Sequence, residues 1–165
     1  MGSVKRSAYE AGHSPKYLVV VDDTEEYDRA LYYAARRCAR IGAGLVLAMI
    51  NAPTEMENWL GIGDVMREEA EDKARDILDR AAARARAIGG VEPECVIREG
   101  QRAYEVVRLI EEDADIAVLV LAAGSGSEGP GPLVSTLVGK ASGTFPIPIA
   151  VIPGTLTDEA IESLA

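Results

Sequence analysis

The sequence predicts an α/β fold, a doubly wound parallel sheet of five strands with helices on both faces. Three observations carry that reading. Short runs dense in Val, Ile, Leu and Ala recur along the chain, and they are apolar throughout rather than alternating, as strands buried on both faces are. Between them lie stretches with apolar residues at threes and fours, the spacing of amphipathic helices. The two kinds of segment alternate along 165 residues with no internal repeat or change of composition, which makes a single Rossmann-like domain with crossover helices.

The first strand is Tyr17 to Val21, ending abruptly at Asp22-Asp23. Asp23 or Thr24 is placed to cap the next helix, with Glu26 closing a capping box. That helix buries Tyr27, Leu31, Ala34, Ala35, Cys38 and Ile41 and stops at Gly42. Leu45 to Ile50 is the second strand. A long loop, Asn51 to Gly63, holds Trp59 with Met56, Leu60 and Ile62, which read equally as a lid or partner contact and as local packing over the crevice edge. A helix from about Asp64 to Ile88 follows, with the stripe Met66, Ala70, Ala74, Ile77, Leu78, Ala81, Ala85, Ile88. Glu94 to Arg98 is the third strand, and Gln101 to Glu112 is a helix burying Ala103, Val106, Val107 and Ile110. Ile116 to Ala122, the most apolar run, is the fourth strand. The glycine-rich loop Gly124 to Gly131 leads into a helix near Pro132 to Ser142, and Pro146 to Ile152 is a proline-bounded edge strand. The expected organisation is a flexible arm over 1–15, the α/β domain over 16–154 and a tail over 155–165 that forms at most one short helix.

Composition narrows function. The formal net charge of -10 argues against gripping nucleic acid or an anionic membrane, both of which need a basic face. No apolar run is long enough to span a bilayer, and the first residues lack the apolar core of a signal peptide; the expected location is the cytoplasm. Cys38 and Cys95 read as small, buried, free thiols. His13 is the only histidine, which removes most His-based catalysis and His-rich metal sites.

Ligands of open parallel sheets bind beyond the carboxyl ends of the strands, so the strand ends are the candidate sites. Asp22-Asp23 ends the first strand and Met49-Ile50-Asn51 the second. Arg98-Glu99-Gly100 ends the third, with Arg102 close by; the two arginines are either phosphate contacts or a solvated pair. After the fourth strand the loop reads Gly124-Ser125-Gly126-Ser127-Glu128-Gly129-Pro130-Gly131-Pro132. It is no Walker A loop, lacking Gly-Lys-Ser/Thr, and is either an anion cradle or a turn that glycine makes permissive. A phosphoreceiver domain would also present an acidic pair like Asp22-Asp23. It would need an Asp after strand three and a Lys after strand five, where this chain has Arg98-Glu99-Gly100 and Pro153-Gly154.

Gly126-Ser127-Glu128-Gly129, nine further residues and then Gly139 reproduce the G-x2-G-x9-G spacing of the universal stress protein family's ATP motif. With Val19-Val20-Val21-Asp22, Asp113 to Val118 and Pro146 to Val151, the chain resembles that family over about Lys16 to Pro153. The resemblance implies the adenine nucleotide alpha hydrolase-like sheet order 3-2-1-4-5, with strands one and four flanking the switch point. It implies Asp22 near the adenosine end, the Met49 backbone against the adenine, and Gly126, Ser127, Gly129 and Gly139 on the phosphate side. The chain departs from the motif at Lys140, which stands where the family has Ser or Thr and offers a point charge instead. It departs also in Glu128, in the prolines of the loop and in a shortened last helix. The resemblance implies a stress-response regulator that binds ATP or another adenine nucleotide, with room for Mg2+ at Asp22. The residues supply no convincing general base, so no catalytic residue and at most slow ATPase activity are expected, and the resemblance implies a homodimer paired through the last strand. The rival reading is an adaptor of the same fold that works through protein contacts without nucleotide.

Overall fold

A computed structural model describes residues 5–53 and 62–165. The strands are β1 (Lys16–Val20), β2 (Gly44–Asn51), β3 (Glu94–Glu99), β4 (Ile116–Ala123) and β5 (Ile149–Pro153). They form one parallel sheet in the order β3-β2-β1-β4-β5. The helices are α1 (Tyr27–Ile41), α2 (Ile62–Gly89), α3 (Arg102–Glu112) and α4 (Asp158–Leu164). The Trp59 loop expected over 51–63 lies mostly outside the described residues.

The period-two geometry of the strands sorts the core into two layers. Val19, Val21, Leu45, Leu47, Val120 and Ile152 face α1, α2 and α4. Leu18, Val20, Val46, Ala48, Ile50, Leu119 and Leu121 face the opposite way, against Val106, Leu109 and Ile110 of α3 and Val134 and Leu137 beyond β4. The inner strands β1, β2 and β4 are therefore apolar at consecutive positions because both their faces are covered, which is the pattern visible in the sequence.

Several local expectations are corrected. Neither Asp23 nor Thr24 caps α1. The Asp22 Oδ1 atom instead accepts from the Thr24 backbone N–H at 2.9 Å and from its hydroxyl, making a tight turn, and Glu26 occupies the N-cap without a side-chain cap. Gly42, at φ 69°, ends α1 in the left-handed conformation as expected. In α2 the expected stripe starts late: residues 64–73 are exposed and burial begins at Ala74, because the helix outruns the edge of the sheet. Met66 is 40% exposed and Val65 54%. Gln101 is the N-cap of α3, its side chain accepting from Tyr104 N at 2.7 Å, and Leu109 takes the buried place expected for Val107. The helix expected over Pro132 to Ser142 is largely a π-helical segment, Val134–Lys140, wound so that Ala141 N donates to Thr136 O at 3.0 Å, followed by a 3-10 turn, Ser142–Thr144. β5 begins at Ile149, later than Pro146, since Pro146 and Pro148 have no N–H for a ladder. Cys38 is buried and its thiol is pushed up to about 12 by burial, but Cys95 is exposed on the edge strand β3 rather than in the core.

The chain outside the sheet is docked at both ends. Residues 5–15, expected as a flexible arm, lie against the amino ends of the strands. Arg6 Nη2 donates to Ile110 O, Asp113 O and Ile116 O at 2.8, 2.7 and 2.8 Å, tying the arm to the last turn of α3, the residue after it and the first residue of β4. Ser7 Oγ donates to Asp115 at 2.6 Å, and His13 Nδ1 lies 2.9 Å from the same carboxylate. At the other end α4 packs on α1 with Ile161 fully buried. The Tyr32 hydroxyl donates to Glu162 Oε1 at 2.7 Å, Arg36 donates to it at 2.9 Å, and Arg40 donates to the Glu162 carbonyl at 2.7 Å. The Tyr32 hydrogen bond, helped by Arg36 and Arg40, holds the Glu162 carboxyl below its ordinary value of 4.5.

Two outcomes follow from this packing. A Cβ at Gly89 would sit 2.6 Å from the Ala35 carbonyl oxygen, where α2 crosses α1. Gly89→Ala is therefore expected to lower stability by about 1–3 kcal/mol in urea unfolding, and an unchanged midpoint would contradict the close crossing. Because the Glu162 carboxyl is depressed in the folded state, its contribution is present above 4.5 and lost as pH falls through its lower folded value. The stability gap between wild type and Glu162→Gln should be widest at neutral pH and close below pH 4.5; a gap independent of pH would contradict the clamp.

Candidate functional site

The site follows from the sheet order. Right-handed crossovers put α1 on one face of the sheet after β1 and the π-helical segment on the other face after β4. The loops leaving these neighbouring strands therefore diverge, and a crevice opens between them at the carboxyl edge.

Two adjoining cavities occupy that edge. The smaller, about 120 Å³, lies between Asp22, Thr24, Glu26 and Tyr27 after β1 and Leu121 and Ala122 of β4, under Pro130 to Val134. The larger, about 440 Å³, lies between Ile50, Ala52 and Pro53 after β2 and Gly100 to Ala103 at the start of α3, with Thr136 on its far wall. Arg102, Pro132 and Leu133 line both. The smaller cavity alone is below the roughly 300 Å³ at which ligand sites begin, while the larger falls within that range.

The two cavities differ in character. The larger is mainly aliphatic, with Arg102 its one charged side chain among the described residues. The smaller carries the carboxylates of Asp22 and Glu26 opposite Arg102. Asp22 Oδ1 is used by the Thr24 turn, while Oδ2 has no hydrogen-bond partner among the described residues. Burial and the neighbouring Asp28 charge push the Tyr27 phenol upward, so Tyr27 presents a neutral hydroxyl. Among the described residues the side chain of Arg102, on the first turn of α3, makes no hydrogen bond or ion pair. Arg98, by contrast, is bound to Glu112, so the two arginines at this edge have separated roles.

Of the residues singled out in the sequence, the structure brings Asp22 into the crevice. Met49 is half-buried with its side chain packed towards α1 and α2, and the β2 residue lining the larger cavity is Ile50. Gly126, Ser127 and Gly129 are exposed and line neither cavity. They form a turn closed by Gly129 N to Gly126 O at 3.1 Å, and Gly124 N donates to Pro130 O at 3.1 Å across the base of the loop. Gly139 and Lys140 end the π-helical segment, also exposed and outside both cavities. The loop residues that do line the crevice are Pro130, Gly131, Pro132 and Leu133. Gly131, at φ 109°, has the backbone that glycine alone adopts easily. The prominence of Arg102 rests on strand order and on the helix start at Arg102. The sequence signals only an arginine two residues after Gly100.

The family profile of the universal stress proteins matches residues 15–152. The chain belongs to the universal stress protein family. No curated protein matches it in sequence. Solved structures share its architecture at low identity. UspA of Lactobacillus plantarum superposes with a TM-score of 0.71 at 16% identity, covering 84% of this chain and 97% of its own. A universal stress protein in complex with cAMP gives 0.62 at 19% identity, covering 86% and 98%. The Archaeoglobus fulgidus universal stress protein in complex with dAMP gives 0.55 at 21%, covering 84% and 96%. At these identities the likeness shows the fold, including the sheet order expected from the family motif.

A Cβ at Gly126 or Gly139 would meet nothing within 4 Å, whereas one at Gly124 would crowd Glu26 Oε1 at 3.1 Å and the Gly129 carbonyl oxygen at 3.2 Å. Gly126→Ala is therefore expected to change unfolding stability by no more than about 0.5 kcal/mol. A larger loss in thermal or urea unfolding would show that the loop packs more closely than described.

Proposed function

We propose that this universal stress protein is a stress-response regulator that binds an adenine nucleotide at the β1/β4 crevice and signals by its bound state. The observation that carries the reading is the pair of adjoining cavities at the switch point of the sheet, with an aliphatic compartment, a carboxylate acceptor at Asp22 and a cation at Arg102. A purine ring suits the aliphatic compartment, and Asp22 Oδ2 is an acceptor for an amino or hydroxyl group of the nucleoside. Relatives bound to cAMP and dAMP support the adenine class. Met49 supports this compartment through its backbone, while Gly126, Ser127, Gly129, Gly139 and Lys140 are the reserve contacts for a longer phosphate chain. Mg2+ has a place only beside Asp22 and such a chain.

The protein works in this reading without fast chemistry, at most as a slow ATPase. His13, the sole histidine, contacts Asp115 at the amino edge of the sheet, opposite the crevice. The cytoplasm is the proposed location. The proposed assembly is a homodimer paired through β5, which ends the sheet with half-buried Ile149, Ala150 and Val151 along it and gains by covering its edge. The second reading, a nucleotide-free adaptor, is favoured by the motif glycines lying outside both cavities.

Titration calorimetry with AMP and with Mg-ATP at millimolar ligand separates the two readings. Saturable heat with either supports the regulator, and its absence with both leaves the adaptor. Repeating the ATP titration in EDTA reports on the metal, with weaker binding expected if Mg2+ takes part. Sedimentation velocity should give twice the single-chain mass of 17.5 kDa; a single-chain species at micromolar concentration would remove the dimer.

A further inference from the structure

Among the described residues three charged side chains line the crevice, and two of them, Asp22 and Glu26, repel an anionic ligand. Gly126 and Gly129 are turned into their own hydrogen-bonded loop, and Gly139 and Lys140 are exposed beyond both cavities. That leaves Arg102 as the cation in contact with the interior of the site. It stands in the partition shared by the two cavities, on the first turn of α3, and its guanidinium has no partner among the described residues.

We infer that Arg102, rather than the glycine loop, is the anchor for the ligand's phosphate, and that the site is built for a nucleoside monophosphate. This rests on the adenine-nucleotide reading above. The base lies in the 440 Å³ compartment, and the phosphate lies at the partition, where the planar guanidinium makes two parallel hydrogen bonds to its oxygens. One guanidinium fork offers the bidentate contact for one phosphate and no more. A second and third phosphate would extend either towards Asp22 and Glu26, where like charges meet, or under the wall of Pro130, Gly131 and Pro132, which gives few N–H donors because proline has none. Arg102 is thereby a specificity-determining residue: it selects for a phosphate over none, while its surroundings select against a long phosphate chain.

The test compares adenosine, AMP and ATP by calorimetry on the full chain, as wild type and as Arg102→Gln, Arg102→Lys and Lys140→Ala. Wild type is expected to bind AMP roughly ten- to a hundredfold more tightly than adenosine, the range of a charge-assisted hydrogen bond, and more tightly than ATP. Arg102→Gln should bring AMP down to the affinity of adenosine, with an unchanged thermal unfolding midpoint showing that the variant is folded. Arg102→Lys should recover part of the loss, and Lys140→Ala should bind AMP as wild type does. If Arg102→Gln keeps the AMP affinity, or if ATP binds best and Lys140→Ala weakens it, the inference is overturned while the nucleotide reading stands. If wild type binds none of the three ligands, the nucleotide reading itself falls.

Discussion

Everything at the carboxyl edge depends on one topological constraint, the reversal of strand order between β1 and β4. β1 pairs with β2 on one side and β4 on the other, with Lys16 opposite Gly44 and Ile116. Two parallel neighbours whose crossovers leave on opposite faces cannot share a covering helix at their ends. A gap there is a consequence of chain handedness, whatever the side chains. The sequence then decides what fills it. Here that is a self-bonded aspartate turn on one lip, a proline-rich segment on the other, and an arginine from α3 reaching in from the third element that the topology brings close.

The fold was legible because each of its main signals is local and redundant. Doubly covered strands must be apolar at consecutive positions, and Leu18 to Val21 and Leu45 to Ala48 could hardly be read otherwise. The strand order was not readable from pattern at all; it came with the glycine spacing, through family resemblance. What the sequence misplaced were features decided by tertiary reach. The stripe of α2 continues in sequence through Met66 and Ala70, but the sheet it would cover has ended. Cys95 has the apolar neighbours of a core residue and lies on the outermost strand. Arg6 is an ordinary basic residue of a polar segment until the junction of α3 and β4 presents it with three carbonyls.

The site was legible in part, and for a definite reason. Asp22 could be placed because it directly ends a strand, and strand ends are where such sheets bind. The loop glycines could be placed in sequence but not in space. Glycine widens the choice of backbone paths, and here the path is closed by hydrogen bonds within the loop. Arg102 needed the opposite kind of information. Its importance comes from the wall it shares with Pro132 and Leu133, thirty residues away along the chain.

The exposed first part of α2 has a consequence of its own. From Asp64 to Lys73 the helix has no buried face, and its polar ties to other elements among the described residues are few: Arg67 to Glu99 at 3.1 Å, and Asn51 Nδ2 to the Ala70 carbonyl at 3.4 Å. Helical order without burial rests on marginal propagation free energy. The amides of this stretch should thus open by fraying from the helix end, independently of the global unfolding that governs the amides beyond Ala74. Glu99 and Asn51 end the two strands beside the larger cavity, so the length of ordered helix is tied to that edge of the sheet. The molecule thereby joins a rigid frame to one helical segment whose extent is an equilibrium rather than a fixed boundary.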